Sequence, residues 1–177
     1  MKIVLITGSA HKHGTTAALA EKFEQGAADA GHEVFRFDAA FHTVHPCIAC
    51  DKCRETGQCT FHEDDMKSLN PHLLEADAIA FVSPIYYFAI NAQIKAVIDR
   101  FYANDDALHG GKKAVLITAM ADTESSSASG ANASFREMLN YLKWKNAGIL
   151  NARNATVAAD LTEEVLKCAY DLGKNLK

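Results

Sequence analysis

The sequence predicts a doubly wound α/β domain, a five-stranded parallel sheet with helices packed on both faces. Three observations carry this. Five strand-like segments recur, and several are continuous apolar runs that suit strands covered on both sides. Between and after them, apolar residues fall at helical spacing. The chain has 177 residues, 49% of them apolar, which fits one domain with a real core. Such a sheet takes its ligand beyond the carboxyl ends of its strands, so the loops after strands one, three and four are the functional candidates.

The elements follow in order. "KIVLIT" (2–7) is the first strand, and "GSAHKHGTT" turns out of it. A helix then fits 16–31, with Leu19, Phe23 and Ala27 on one face and Gly31 as its stop. "HEVFRFD" (32–38) is the second strand. About 25 residues follow without periodicity, so the single domain 1–177 carries a cysteine-rich insertion at about 39–62. A helix over 63–76 is expected to kink or divide at Pro71. "DAIAFVS" (77–83) is the third strand and "PIYYFAIN" a loop. The helix "AQIKAVIDRFY" (92–102) places Ile94, Val97, Ile98 and Phe101 in register. "AVLITAM" (114–120) is the fourth strand, and "ADTESSSASGAN" reads as a mobile polar loop. A helix carries Phe135, Met138, Leu139 and Leu142, and "WKNAGILNA" (144–152) is the fifth strand. The last helix, from about Thr162, buries Val165, Ala169, Leu172 and Leu176. Cys168 falls on that face and reads as an inert core thiol.

Net charge is −4 with both signs interspersed, and no basic stripe invites nucleic acid or an anionic membrane. No apolar run approaches the roughly 20 residues that span a bilayer. The amino-terminal apolar run is too short for a signal peptide, so the chain reads as cytoplasmic.

The loop "TGSAHKHGTT" lacks both G-x4-G-K-[ST] and G-x-G-x-x-G. It brings hydroxyls and free amides to a helix start, where an anion can bind without metal. Ser9, Thr15 and Thr16 can donate, Gly14 permits close approach, and His11 and Lys12 add positive character. The alternative is an ordinary turn capped by Thr15 or Thr16. The loop Pro84, Ile85, Tyr86, Tyr87, Phe88 is too bulky and apolar for a plain connector. It fits a platform for a flat aromatic ring, or a surface covered by helices or by a partner subunit.

"PCIACDKCRETGQC" (46–59) holds four of the five cysteines, spaced C-x2-C-x2-C-x5-C. Cys47, Cys50, Cys53 and Cys59 could hold a [4Fe–4S] cluster, since cysteines every third residue wrap a loop around a cubane. A structural zinc ordinarily uses paired knuckles on a longer arm, which this segment lacks. A redox disulfide is disfavoured in a reducing compartment. Thiols without metal are the fourth reading. Asp51, Glu55, Glu63, Asp64 and Asp65 nearby would lower a cluster's reduction potential. His42, His45 and His62 read as surface histidines, Asp64 and Asp65 as helix-dipole partners, and Asp99 and Arg100 as pairing or capping groups.

"GSAHKHGTTAAL" resembles the phosphate loop of the NADPH-dependent FMN reductase superfamily, usually G-S-P-R-x-x-G-x-T. "SPIYYFAINAQIKAVIDR" is similar to that superfamily's flavin loop and helix, and "CIACDKCRETGQCTFHEDDM" to the cysteine segment of its iron–sulfur flavoprotein branch. These motifs lie in order across 1–102, while the last third fits by topology alone. The resemblance implies a flavodoxin-like fold, strand order 2-1-3-4-5, with FMN bound. Ser9, His11, Thr15 and Thr16 would meet the phosphate. Pro84 to Phe88 would line the isoalloxazine, and Ala119, Met120, Ala121 and Asp122 would close its other side. Ala10 and His11 depart from the usual proline and arginine, which exchanges a permanent forked charge for a titratable one.

The function expected is an FMN-dependent oxidoreductase. It would move electrons between NAD(P)H or a reduced carrier and a quinone, nitro, azo or flavin acceptor, with or without the cluster. The protein would supply binding and orientation. No nucleophilic triad is evident, and Tyr86 and Tyr87 are the only candidates for proton donation. The alternatives are an electron carrier without turnover of its own and a flavin-free binding protein. The resemblance further implies a homodimer or homotetramer.

Overall fold

A computed structural model describes residues 1–177. β1 (Lys2–Thr7) leads to α1 (Thr15–Asp29) and β2 (Glu33–Asp38). The cysteine segment holds one short helix, α2 (Lys52–Thr56), before α3 (Met66–Glu75). Then come β3 (Ala78–Tyr86), β4 (Ala89–Ile90), α4 (Ala92–Asp99) and α5 (Asp105–Leu108). β5 (Lys113–Ala119), α6 (Ser129–Leu142), β6 (Lys145–Ala152) and α7 (Glu163–Lys174) complete the chain.

The sheet order is β2-β1-β3-β5-β6, all parallel, with β4 pairing antiparallel to the end of β3. Leaving out β4, this is the expected 2-1-3-4-5. Alternate residues of β1 explain its unbroken apolar run. Ile3 and Leu5 pack with Leu19, Phe23 and Ala169 on the α1/α7 side. Val4 and Ile6 pack with Met66, Leu69, Ile94 and Phe135 on the α3/α4/α6 side.

Four expectations are corrected. The "PIYYFAIN" loop is a hairpin: β3 runs on through Pro84 to Tyr86, and Ile85 and Tyr86 pair with Ile90 and Ala89. Tyr87 and Phe88 take positive φ at its tip (48° and 67°), which a two-residue hairpin turn demands even of aromatic residues. Pro71 does not divide α3, which is one helix. Both Pro71 and Lys67, whose carbonyl would have paired with residue 71, are exposed, so water can replace the missing donor. The serine-rich segment is ordered: Ser125–Ala128 form a 3-10 turn in which Ser127 and Ala128 are buried. Finally, Cys168 is exposed. The buried line of α7 runs through Ala169 and Gly173, which lets the helix press against α1. A Cβ on Gly173 would lie 2.1 Å from the Phe23 carbonyl oxygen, and this close approach turns Cys168 outward.

Candidate functional site

Two sets of predicted residues are gathered at separate places. The first is at the carboxyl end of β1. Gly14 is the N-cap of α1 and no side chain caps that helix, so the capped-turn reading with Thr15 or Thr16 falls. The first-turn amides are left to face a cleft of about 410 Å³ lined by Ser9, His11, Lys12 and Thr16. Arg36, Asp38, Phe41 and His42 complete its wall. Arg36 is held by Asp38 (2.9 Å) and Glu24 (3.4 Å), and Asp38 also accepts from Thr7 (2.6 Å). Lys12 lies 5.0 Å from the Phe41 ring. Uncapped amides, hydroxyls and a free ammonium fit a phosphate. Gly14 and Thr15 adjoin this cleft at the helix start, outside its lining.

The β3–β4 hairpin stands beside that loop and projects Tyr86, Tyr87 and Phe88, which are 53%, 98% and 62% exposed. Pro84 and Ile85 are half-buried at its base. Ala119 and Met120 are buried, so at the end of β5 only Ala121 and Asp122 offer surface. The Asp122 carboxyl accepts from the Glu124 amide (3.0 Å) and the Ser127 hydroxyl, which hold it below the usual carboxylate range. This aspartate orders its own loop.

Sequence reasoning missed the brace between these loops. Asn91 is 2% exposed. Its side-chain amide donates to the Gly8 carbonyl, its oxygen accepts from the Ser83 hydroxyl (3.2 Å), and its backbone amide donates to that hydroxyl (3.0 Å). Gly8 also donates to the Val82 carbonyl (3.0 Å). The phosphate loop is thereby tied to the end of β3. The only hint in the sequence was a polar residue inside an apolar stretch.

The second set is on the flank of the domain, against the end of α4 and the 3-10 turn Arg100–Asn104. Cys47, Cys50, Cys53 and Cys59 all line one cavity of about 20 Å³, with Asp99, Arg100 and Tyr102 in its far wall. Ala49 and Asp51 take left-handed φ values (53° and 56°) as the loop curls around it. No three His, Cys, Asp or Glu side chains form a ligand set for a single ion. A cubane asks for something else, since each thiolate binds its own iron and the four need not meet at a point. Donor chemistry and convergence fit such a cluster. The cavity is about one water in volume, so the exposed stretch carrying Cys47 and Cys50 has to move outward to admit it. His42 stacks on Phe37 (4.2 Å between centroids) and His45 on Phe61 (4.5 Å), while His62 faces the Cys59 carbonyl (3.1 Å). The cysteine cavity shares no lining residue with the phosphate cleft.

A parallel sheet of this order, with an uncapped helix start after its first strand and an aromatic hairpin after its third, defines a flavodoxin-like α/β protein, here with a cysteine-bearing segment after β2. The family model for NADPH-dependent FMN reductase matches residues 1–158, and the chain belongs to that family. It is 34% identical over 100 residues to an iron–sulfur flavoprotein of Methanocaldococcus jannaschii, an alignment covering 56% of this chain and 51% of that protein. The chain thus spans about half the length of the curated relatives it matches. Its fold is similar to an NAD(P)H:quinone oxidoreductase from Methanothermobacter marburgensis, with TM-score 0.76 and 19% identity over 99% of this chain and 95% of that one. It is also similar to a flavodoxin from the domain Archaea, with TM-score 0.64 and 15% identity over 99% and 95%. No helix is long and apolar enough to cross a membrane.

Proposed function

We propose that this protein is a cytoplasmic FMN-dependent oxidoreductase. It passes electrons between NAD(P)H or a reduced carrier and a quinone, nitro, azo or flavin acceptor, and its Cys47, Cys50, Cys53 and Cys59 hold a [4Fe–4S] cluster. The observation that carries the flavin reading is the cleft at the uncapped start of α1, whose loop Asn91 ties to the strand that bears the aromatic hairpin. Ser9, His11, Lys12, Thr15 and Thr16 hold the phosphate with the first-turn amides, and Gly14 lets it approach the backbone. Pro84, Ile85, Tyr86, Tyr87 and Phe88 supply the apolar wall for the ring, opposite Ala121 and Asp122, with Ala119 and Met120 buried beneath them. Bound FMN supplies hydride and single-electron chemistry that no side chain here can. Tyr86 and Tyr87 are the candidate hydroxyls for proton donation.

The names of the curated relatives and the convergence of four thiols support the cluster. The hairpin, among the most exposed apolar surfaces of the chain, supports self-association as a homodimer or homotetramer. Anaerobic purification with iron, sulfide and FMN analysis is the test. About four irons and four sulfides per chain are expected with one FMN. Flavin without iron leaves a plain reductase, and protein that never gains absorbance near 450 nm with FMN ends both flavin readings. Steady NAD(P)H oxidation with an added quinone separates an enzyme from a carrier without turnover. A monomer by sedimentation removes the oligomer.

A further inference from the structure

Arg100 ends α4 with a guanidinium only 2% exposed, paired with an Asp64 carboxylate 4% exposed. Its hydrogen bonds go to places far apart in sequence. It donates to the His45 carbonyl (2.9 Å), just before Pro46 and Cys47, and to the Phe61 carbonyl (2.9 Å), just after Cys59 and Thr60. One planar fork therefore closes both ends of the cysteine segment. Asp64 completes the clasp by accepting from the His45 amide (3.0 Å) and the Met66 amide (3.1 Å). The guanidinium also lies 5.8 Å from the ring of Phe61, and that ring stacks on His45. The middle of the segment is pinned separately. Tyr102 donates to Asp51 (2.8 Å) and accepts from Arg54, whose guanidinium covers its ring at 4.7 Å.

Arg100 reaches the cavity wall that all four cysteines line, whereas Asp64 does not. Gathering four thiolates costs chain entropy and mutual repulsion, and a loop closed in advance lowers that cost. A lysine keeps the charge but not the fork that spans two carbonyls.

We propose that Arg100 is the positioning residue of the four-cysteine site. It clasps the ends of residues 46–60 so that the thiols converge. The cluster part of this rests on the function proposed above, and the clasp itself does not.

The test uses the full chain as wild type, as Arg100→Lys, and as Arg100→Met with Asp64→Asn, which leaves no buried carboxylate unpaired. FMN binding is the control for the fold and is expected to be equal in all three. In iron-free protein, amide exchange across 46–60 is expected to quicken about 10-fold or more in the double variant and less in Arg100→Lys. After anaerobic loading with iron and sulfide, the double variant is expected to hold iron about 10-fold more weakly or worse, the scale of losing an outer-shell partner. Arg100→Lys is expected to recover part of that loss. Exchange across 46–60 unchanged in both variants overturns the clasp. Equal iron affinity in all three proteins overturns its action on the cluster. If wild type takes up no iron while exchange responds as expected, the cluster reading fails and the clasp stands.

Discussion

Gly8→Ala tests whether the two halves of the candidate flavin site are held together by Asn91. A Cβ at position 8 would lie 2.1 Å from the Asn91 side-chain oxygen and 2.8 Å from its Cγ and Nδ2, inside any tolerable contact. Asn91 would have to swing away, and it is buried among partners it could not replace. The Gly8 carbonyl would lose its side-chain donor, at about 1–3 kcal/mol for a buried group, while the Ser83 hydroxyl keeps the Pro84 carbonyl (2.8 Å) as acceptor. The smaller entropy of an alanine in the unfolded chain returns about 0.4–1 kcal/mol. The net cost is about 1–2 kcal/mol, in a domain whose total is on the order of 5–15. Urea unfolding can be followed at Trp144, a single buried indole that donates to the Leu108 carbonyl (2.6 Å). With a slope of about 2–3 kcal/mol/M, the midpoint should fall by about 0.3–1 M. FMN affinity should fall at least about tenfold, since a 1.4 kcal/mol disturbance of the phosphate loop suffices. The double variant Gly8→Ala with Asn91→Ala removes the clash, so it should be little worse than Asn91→Ala alone. A Gly8→Ala protein with unchanged midpoint and unchanged FMN affinity would refute the reasoning.

Three other outcomes are expected. His11→Arg gives the phosphate loop a permanent forked charge and should tighten FMN binding by about 3–10-fold at pH 8, with stronger salt dependence. Equal titration curves would deny His11 a phosphate role. Gly173→Ala forces α7 away from the Phe23 carbonyl, and calorimetry should show destabilisation of about 3 kcal/mol; an unshifted melting temperature contradicts the packing. The Asp122 carboxyl is held below its unfolded value, so its contribution to loop order is present above the ordinary carboxylate range. That contribution should be lost as pH falls through the depressed value, seen as amide exchange in 122–128 quickening relative to the core. Asp122→Asn should remove that pH dependence, and identical profiles in both proteins would exclude the carboxylate as its source.

Much of this was legible in the order of residues. β1, the core of β3 and β5 stand out because a strand covered on both sides must be apolar at every position, as Ile3, Val4, Leu5 and Ile6 are. The phosphate loop shows as hydroxyls and glycine between a strand and a helix. The cysteine spacing suggested a shared site, and Cys47, Cys50, Cys53 and Cys59 line one small cavity. Other features could not be read. Tyr86 and Ala89 pair across a hairpin whose tip residues have low turn propensity, because the flanking strand directs them there. Cys168 falls at the edge of the α7 face, exposed although Val165, Ala169, Leu172 and Leu176 pack on the core, because the buried line also takes in Leu166 and Gly173 on the other side.

By itself, then, the sequence determined the alternation of strands and helices, the place of the candidate loops and the chemistry of their donors. These depend on periodicity and composition, which act over a few residues. Only the tertiary structure decided that Asn91 joins Gly8 to Ser83 and that Arg100 closes the chain between His45 and Phe61. A buried amide or guanidinium must find its acceptors wherever the packed chain presents them. Those acceptors are backbone carbonyls and hydroxyls up to 83 residues away, and no local pattern marks them.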